Sequence, residues 1–130
     1  MSAAKIGKEA ITVLFLFFAF IAGCVSSGPD GVSPDVFEKM SGGDTYIIDV
    51  RTPEEYLQGH IEGADNMDYY SPDFREKISK LDIDKAYLLY CRTGHGSGES
   101  LKIMNEMGFR NVTHLSGGIN EWISQGKKIV

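Results

Sequence analysis

The hydrophobic pattern divides the chain at residue 23. Positions 10–23 are almost unbroken apolar, hold four of the seven phenylalanines, and follow Lys5 and Lys8. Fourteen residues at about 1.5 Å rise reach only about 21 Å, short of a hydrocarbon core of about 30 Å, so the run predicts the apolar part of an export signal. Residues 25–31 are polar, rich in turn formers and without periodicity, which suits a spacer. Beyond them, Ser33 and Pro34 read as an N-cap and first helical position, with Val36, Phe37 and Met40 as the apolar face and 41–43 as the stop. Short β-branched and aromatic runs at 46–50 and 86–90 predict strands buried on both faces, and 111–115 a weaker third. Helical patterns lie between and after them at 52–56, 72–81, 97–107 and 118–125, the last with Ile119, Trp122 and Ile123 as core positions. Strands alternating with helices mean an α/β fold with a largely parallel sheet.

Composition narrows this picture. A chain of 130 residues with 42% hydrophobic and 24% charged positions has room for one ordinary core. The net charge of -5 excludes a nucleic-acid partner bound through a broad basic surface. Residues 1–23 contribute two lysines and one glutamate, so the chain after them is more acidic still. With two cysteines there is at most one disulfide, and apolar packing must hold the fold.

Each cysteine sits in a distinctive place. The leader ends Ile21-Ala22-Gly23-Cys24, which resembles the lipobox of bacterial-type lipoproteins: small residues admit a peptidase and the thiol is the acylation point. That predicts removal of residues 1–23, a lipidated Cys24 with a spacer over 24–31, and a domain over 32–130 tethered at the extracytoplasmic face of the cell membrane. The alternative is an uncleaved anchor, and either way the domain is tethered. Cys91 ends the second strand pattern, where Arg92-Thr-Gly-His-Gly-Ser97 opens into a helix. Ligands of open α/β sheets bind outside the carboxyl ends of strands. Gly94 and Gly96 let successive N–H groups curl inward as an anion nest, and these dipoles favour a nucleophilic thiolate.

Asp49-Val-Arg-Thr-Pro-Glu-Glu-Tyr56, Gly59-His-Ile-Glu-Gly-Ala64, Cys91-Arg-Thr-Gly94 and Leu115-Ser-Gly-Gly-Ile-Asn-Glu-Trp122 together resemble, in order and spacing, a single-domain rhodanese. The resemblance implies a rhodanese-like α/β fold with a five-stranded, mainly parallel sheet and helices on both faces. It also implies a sulfurtransferase that uses no cofactor and carries sulfane sulfur as a persulfide on Cys91. The donor would be a small anion such as thiosulfate and the acceptor a thiol, cyanide or a protein. Arg92, Thr93, Gly94, His95, Gly96 and Ser97 would bind the substrate, the loop amides stabilising the persulfide anion.

Asp49 and Arg51, at a strand end, and His60, within Gly-His-Ile, are expected to be structural. His60, His95 and His114 lack the spacing and cysteine partners of a zinc site, and no metal is expected. The domain is expected to be a monomer. Two positions depart from the usual family loop, which often reads Cys-Arg-Thr-Gly-Asn-Arg-Ser. His95 and Gly96 replace its asparagine and second arginine, and an imidazole is charged only below about pH 6.5. Glu99 in the first helical turn would repel an anionic donor if it faced the pocket. These departures favour, as a rival reading, a sulfur-relay or protein-binding module with little small-molecule turnover. A cysteine phosphatase or arsenate reductase needs an arginine six positions after the nucleophile, where this chain has Ser97.

Overall fold

The β-branched and aromatic runs do become strands. The structure, a computed structural model, describes residues 31–130; the leader, Cys24 and the spacer through residue 30 lie outside the described residues. Strands β1 (Tyr46–Asp49), β2 (Ala64–Asn66), β3 (Ala86–Tyr90) and β4 (Asn111–His114) form a parallel sheet in the order β2-β1-β3-β4. Helices α1 (Pro34–Met40), α2 (Pro53–Gln58), α3 (Phe74–Ser79), α4 (His95–Glu106) and α5 (Gly118–Ser124) make the connections. Among the described residues, no helix is long and apolar enough to cross a membrane.

Successive strand residues point to opposite faces, so a continuous apolar run fills two cores. Ile47 and Leu88 join Phe37 of α1 and Ile119 and Trp122 of α5 on one face. Ile48 and Leu89 join Phe74 and Ile78 of α3 and Met104 of α4 on the other. Phe37 anchors the first core, meeting the Tyr90 and Trp122 rings edge-on at 6.2 and 5.9 Å.

Three expectations need correction. Among the described residues the sheet has four strands, not five. The fifth position is reduced to one bridge, Val32 to Leu115, in which Val32 N–H donates to the His114 carbonyl (2.9 Å) and Ser116 N–H to that of Val32 (3.0 Å). Ser33 is already the N-cap of α1, and Pro34 brings no N–H to a ladder, so pairing stops there. Val36 and Met40 are exposed, because in a two-turn helix only Pro34 and Phe37 face the sheet. Ile123, one residue and about 100° around α5 from the buried Trp122, is 47% exposed and not core.

Candidate active site

Cys91 follows β3 directly and stands between two glycine-dependent turns. Its carbonyl accepts from Ile119 N–H (2.9 Å), and the Arg92 carbonyl accepts from Asn120 N–H (3.1 Å), so the first turn of α5 holds the loop's backbone from behind. That approach depends on Gly118, which has φ +67 and where a Cβ would lie 2.2 Å from the Arg92 carbonyl oxygen. Gly94, at φ 110, is the N-cap of α4, and a Cβ there would lie 2.0 Å from the Ser116 carbonyl oxygen. Both glycines are fixed by backbone contact as well as by torsion.

The turn at Gly94 aims its N–H at Cys91, whose Sγ accepts the bond at 3.0 Å. Bonding within α4 starts with Gly98 N–H donating to the Gly94 carbonyl at 3.0 Å. The N–H groups of His95, Gly96 and Ser97 are therefore the first-turn donors that a helix leaves without intrahelical partners. Cys91 is buried and faces a cup of about 80 Å³ lined by Val50, Arg51, Glu55, Tyr70, Arg92, Thr93, His95 and Gly96. A space of that size suits an ion of a few atoms, far below the 300–1,000 Å³ of most ligand pockets.

The loop residues singled out from the sequence divide by position. Arg92, Thr93, His95 and Gly96 line the cup, and Gly96 is so placed that a Cβ would stand 3.8 Å from Sγ. Ser97 is fully buried and turned away, its Oγ 2.8 Å from His114 Nδ1 and 3.3 Å from the Gly94 carbonyl oxygen. Arg92 is largely exposed, with Nε 3.5 Å from Glu55 Oε2. Glu99 lies outside the cup: it pairs with Lys102 at 3.0 Å and lines a separate depression of about 680 Å³ between α4 and β4.

Of the remaining expected residues, Arg51 lines the cup, Asp49 pairs with it, and His60 packs on Tyr56 of α2. Asp49 and Arg51 form a buried pair, Nη2 to Oδ2 at 2.7 Å and Nε to Oδ1 at 3.0 Å, and Nη2 also donates to the Gly59 carbonyl at 2.7 Å. Burial works to lower the Arg51 pKa, yet the hydrogen bond and charge of Asp49 raise it overall. Its guanidinium stands 5.7 Å from the Tyr90 ring centre, and the Tyr90 hydroxyl accepts from Ile61 N–H at 3.0 Å. Burial and then the Asp49 charge push the Tyr90 phenol pKa up. His60 stacks on Tyr56 at 3.8 Å, donates from Nδ1 to the Tyr56 carbonyl (3.0 Å), and pairs its backbone with Val130 at 2.9 Å in both directions.

Sequence reasoning missed three contributors. Glu55 enters the cup because it also closes the capping box with Thr52 that starts α2. Tyr70 reaches the cup because the segment after β2 stays beside β1, with Met67 and Tyr69 N–H donating to the Asp49 and Val50 carbonyls. The backing of the loop by α5 was signalled only by two adjacent glycines, Gly117 and Gly118.

Comparison with known proteins agrees with this geometry. Residues 33–125 match the rhodanese-like domain family. The chain is 32% identical over 92 residues to thiosulfate sulfurtransferase GlpE of Stutzerimonas stutzeri, covering 70% of this chain and 82% of that protein. It is 39% identical over 85 residues to the probable adenylyltransferase/sulfurtransferase MoeZ of Mycobacterium tuberculosis, covering 65% of this chain but only 22% of that longer protein. The crystal structure of a rhodanese-related protein from Thermoplasma volcanium superposes with a TM-score of 0.67 at 29% identity, covering 77% of this chain and 96% of that one. With a strand-end cysteine in a loop held by two glycine turns, and with residues 33–125 matched, the chain belongs to the rhodanese-like domain family.

Proposed function

We propose that the protein is a thiosulfate-type sulfurtransferase whose nucleophile is Cys91. The observation that carries this is the Gly94 N–H donated to Sγ at the floor of a cup sized for a small anion. The Cys91 thiolate attacks the outer sulfur of thiosulfate, a new S–S bond forms as the original one breaks, and sulfite leaves with the electron pair. Cyanide or a thiolate then attacks the terminal sulfur, and the Cys91 thiolate is released. The first step carries Cys91 from thiolate to persulfide and the second returns it to thiolate, so one sulfur atom moves from donor to acceptor and the enzyme is unchanged over the two-step cycle. The Gly94 amide and the first-turn amides of α4 stabilise the persulfide anion, as donors aimed at developing charge do elsewhere. Arg92, Thr93, His95 and Gly96 form the donor site, while Asp49, Arg51 and His60 hold its walls.

The same proposal places the domain on the extracytoplasmic face of a cell membrane through a lipid on Cys24. Eight residues from Cys24 to Val32 span at most about 28 Å. Val32 bridges Leu115, whose N–H bonds the Leu89 carbonyl on β3, so the tether would join about two strand spacings, roughly 10 Å, from the end of β3 beside Cys91. Lipid incorporation at Cys24 in a lipoprotein-processing host tests this part alone, and absence of lipid would remove the tether without touching Cys91.

One observation favours the rival relay reading. Glu55 already faces Arg92, the one arginine of the Cys91 loop, which leaves less charge for an anionic donor. Turnover of thiosulfate and cyanide to thiocyanate by the full chain and by Cys91→Ala separates the two. The enzyme reading expects turnover abolished by the substitution. A persulfide that forms on Cys91 and passes only to protein thiols would favour the relay.

A further inference from the structure

We infer that His114 is a positioning residue for the Cys91 site, acting through Ser97 and the Gly94 peptide. The inference rests on the sulfurtransferase reading for its kinetic consequence, and on geometry alone for its structural one. His114 closes β4 and is buried, and its Nδ1 lies 2.8 Å from Ser97 Oγ, which is also buried. Ser97 Oγ is 3.3 Å from the carbonyl oxygen of Gly94, the residue whose N–H bonds Cys91 Sγ at 3.0 Å. Two residues before the chain reaches α5, Ser116 presses on the same glycine: a Cβ on Gly94 would lie 2.0 Å from its carbonyl oxygen.

The Gly94 residue is thus gripped at three places: Sγ on its N–H, α4 on its carbonyl, and the strand-to-helix turn against its Cα. A further hold on its carbonyl, from Ser97 Oγ, leads on to a side chain of β4, that of His114. The Ser97–His114 bond survives a change of tautomer. With a proton on Nδ1 the imidazole donates to Ser97; without one it accepts from the hydroxyl. With Nδ1 protonated, Ser97 accepts from the imidazole and keeps its own proton for the Gly94 carbonyl, and in this form His114 pins the first turn of α4 to the end of β4 and fixes the angle at which the Gly94 N–H meets the sulfur. A donor aimed at developing charge is worth about 10²- to 10³-fold in rate when removed outright, so misaligning one is expected to cost about tenfold.

The test compares full-length His114→Leu, His114→Asn, Ser97→Ala and the Leu/Ala double variant. An asparagine amide can replace Nδ1 as the partner of Ser97, whereas leucine cannot. Single-turnover persulfide formation from thiosulfate, followed by mass spectrometry of the Cys91 peptide, is expected to slow about tenfold in His114→Leu and Ser97→Ala with little change in KM. His114→Asn should restore most of the rate, and the double variant should be no slower than the slower single one. Exchange of the Gly94 amide with solvent, read by NMR, should speed up in the same variants that slow. Wild-type rates and wild-type Gly94 exchange in Ser97→Ala, an asparagine variant no better than leucine, or fully additive effects would each overturn the inference. If His114→Leu does not fold, Ser97→Ala and His114→Asn carry the comparison. A wild type that forms no persulfide would defeat the sulfurtransferase reading, while the Gly94 exchange still decides the role of His114.

Discussion

Gly118 stands against Arg92 so closely that a Cβ on it would lie 2.2 Å from the Arg92 carbonyl oxygen, and this contact lets α5 support the Cys91 loop. Gly118→Ala must both strain a φ of +67 and move backbone, with no flexible side chain to yield. A loss of about 3 kcal/mol or more is expected in urea unfolding, with sulfur transfer reduced in the fraction that stays folded. An alanine variant as stable as the parent would mean that the two turns are not packed as described.

The Asp49–Arg51 pair makes a different kind of prediction. Arg51 is only 8% exposed, so Asp49→Ala leaves a buried cation facing the Tyr90 ring and the Gly59 carbonyl. Breaking one side of a buried pair costs about 3–5 kcal/mol, whereas replacing both partners with apolar residues of similar volume costs far less. Chemical denaturation of Asp49→Ala and of Asp49→Leu/Arg51→Met should therefore rank the double variant as the more stable. The reverse order would show that the pair contributes through more than mutual compensation.

Glu55 is expected to tune the donor. Glu55→Gln keeps a residue able to close the capping box but removes the carboxylate 3.5 Å from Arg92 Nε. Because the ion pair is largely exposed, its release should lower KM for thiosulfate only about two- to fivefold, with kcat little changed. An unchanged or raised KM would show that Arg92 does not meet the donor.

Alkaline pH tests an interaction away from the site. The Tyr46 hydroxyl donates to Asp65 on β2, and this bond, with burial, pushes the phenol pKa up to about 12. An unfolded tyrosine ionises near 10, so the folded state holds its proton longer. This contribution to stability is complete below about pH 10 and fades as pH rises toward 12. Between those values the wild type should lose stability more steeply than Tyr46→Phe. Parallel pH profiles for the two proteins would remove the Asp65 bond from the account.

Most of the sheet could be read from the chain because its strands are buried on both faces. The runs at 46–50 and 86–90 are rich in aliphatic and aromatic residues for that reason, and each aligns with an observed strand. β2 was not anticipated, since Ala64–Asn66 is three residues with no apolar alternation and is held by pairing with β1. The number of strands came from family resemblance, and Val32 shows how a fifth can shrink to a bridge when a helix begins at the next residue but one. Cys91 was legible because a strand, a cysteine and a glycine loop are contiguous in sequence. Glu55, Tyr70 and His114 were not, since each reaches the loop through tertiary packing from another element.

The central claim is that Cys91 carries the transferred sulfur. The direct measurement is the mass of the Cys91 peptide after the full chain is mixed with thiosulfate, then again after cyanide is added. The account predicts a peptide one sulfur atom heavier in the first sample, its return to the unmodified mass in the second with thiocyanate formed in equal amount, and neither change in Cys91→Ala. A Cys91 peptide that never gains mass, or thiocyanate formed equally well by Cys91→Ala, would contradict it.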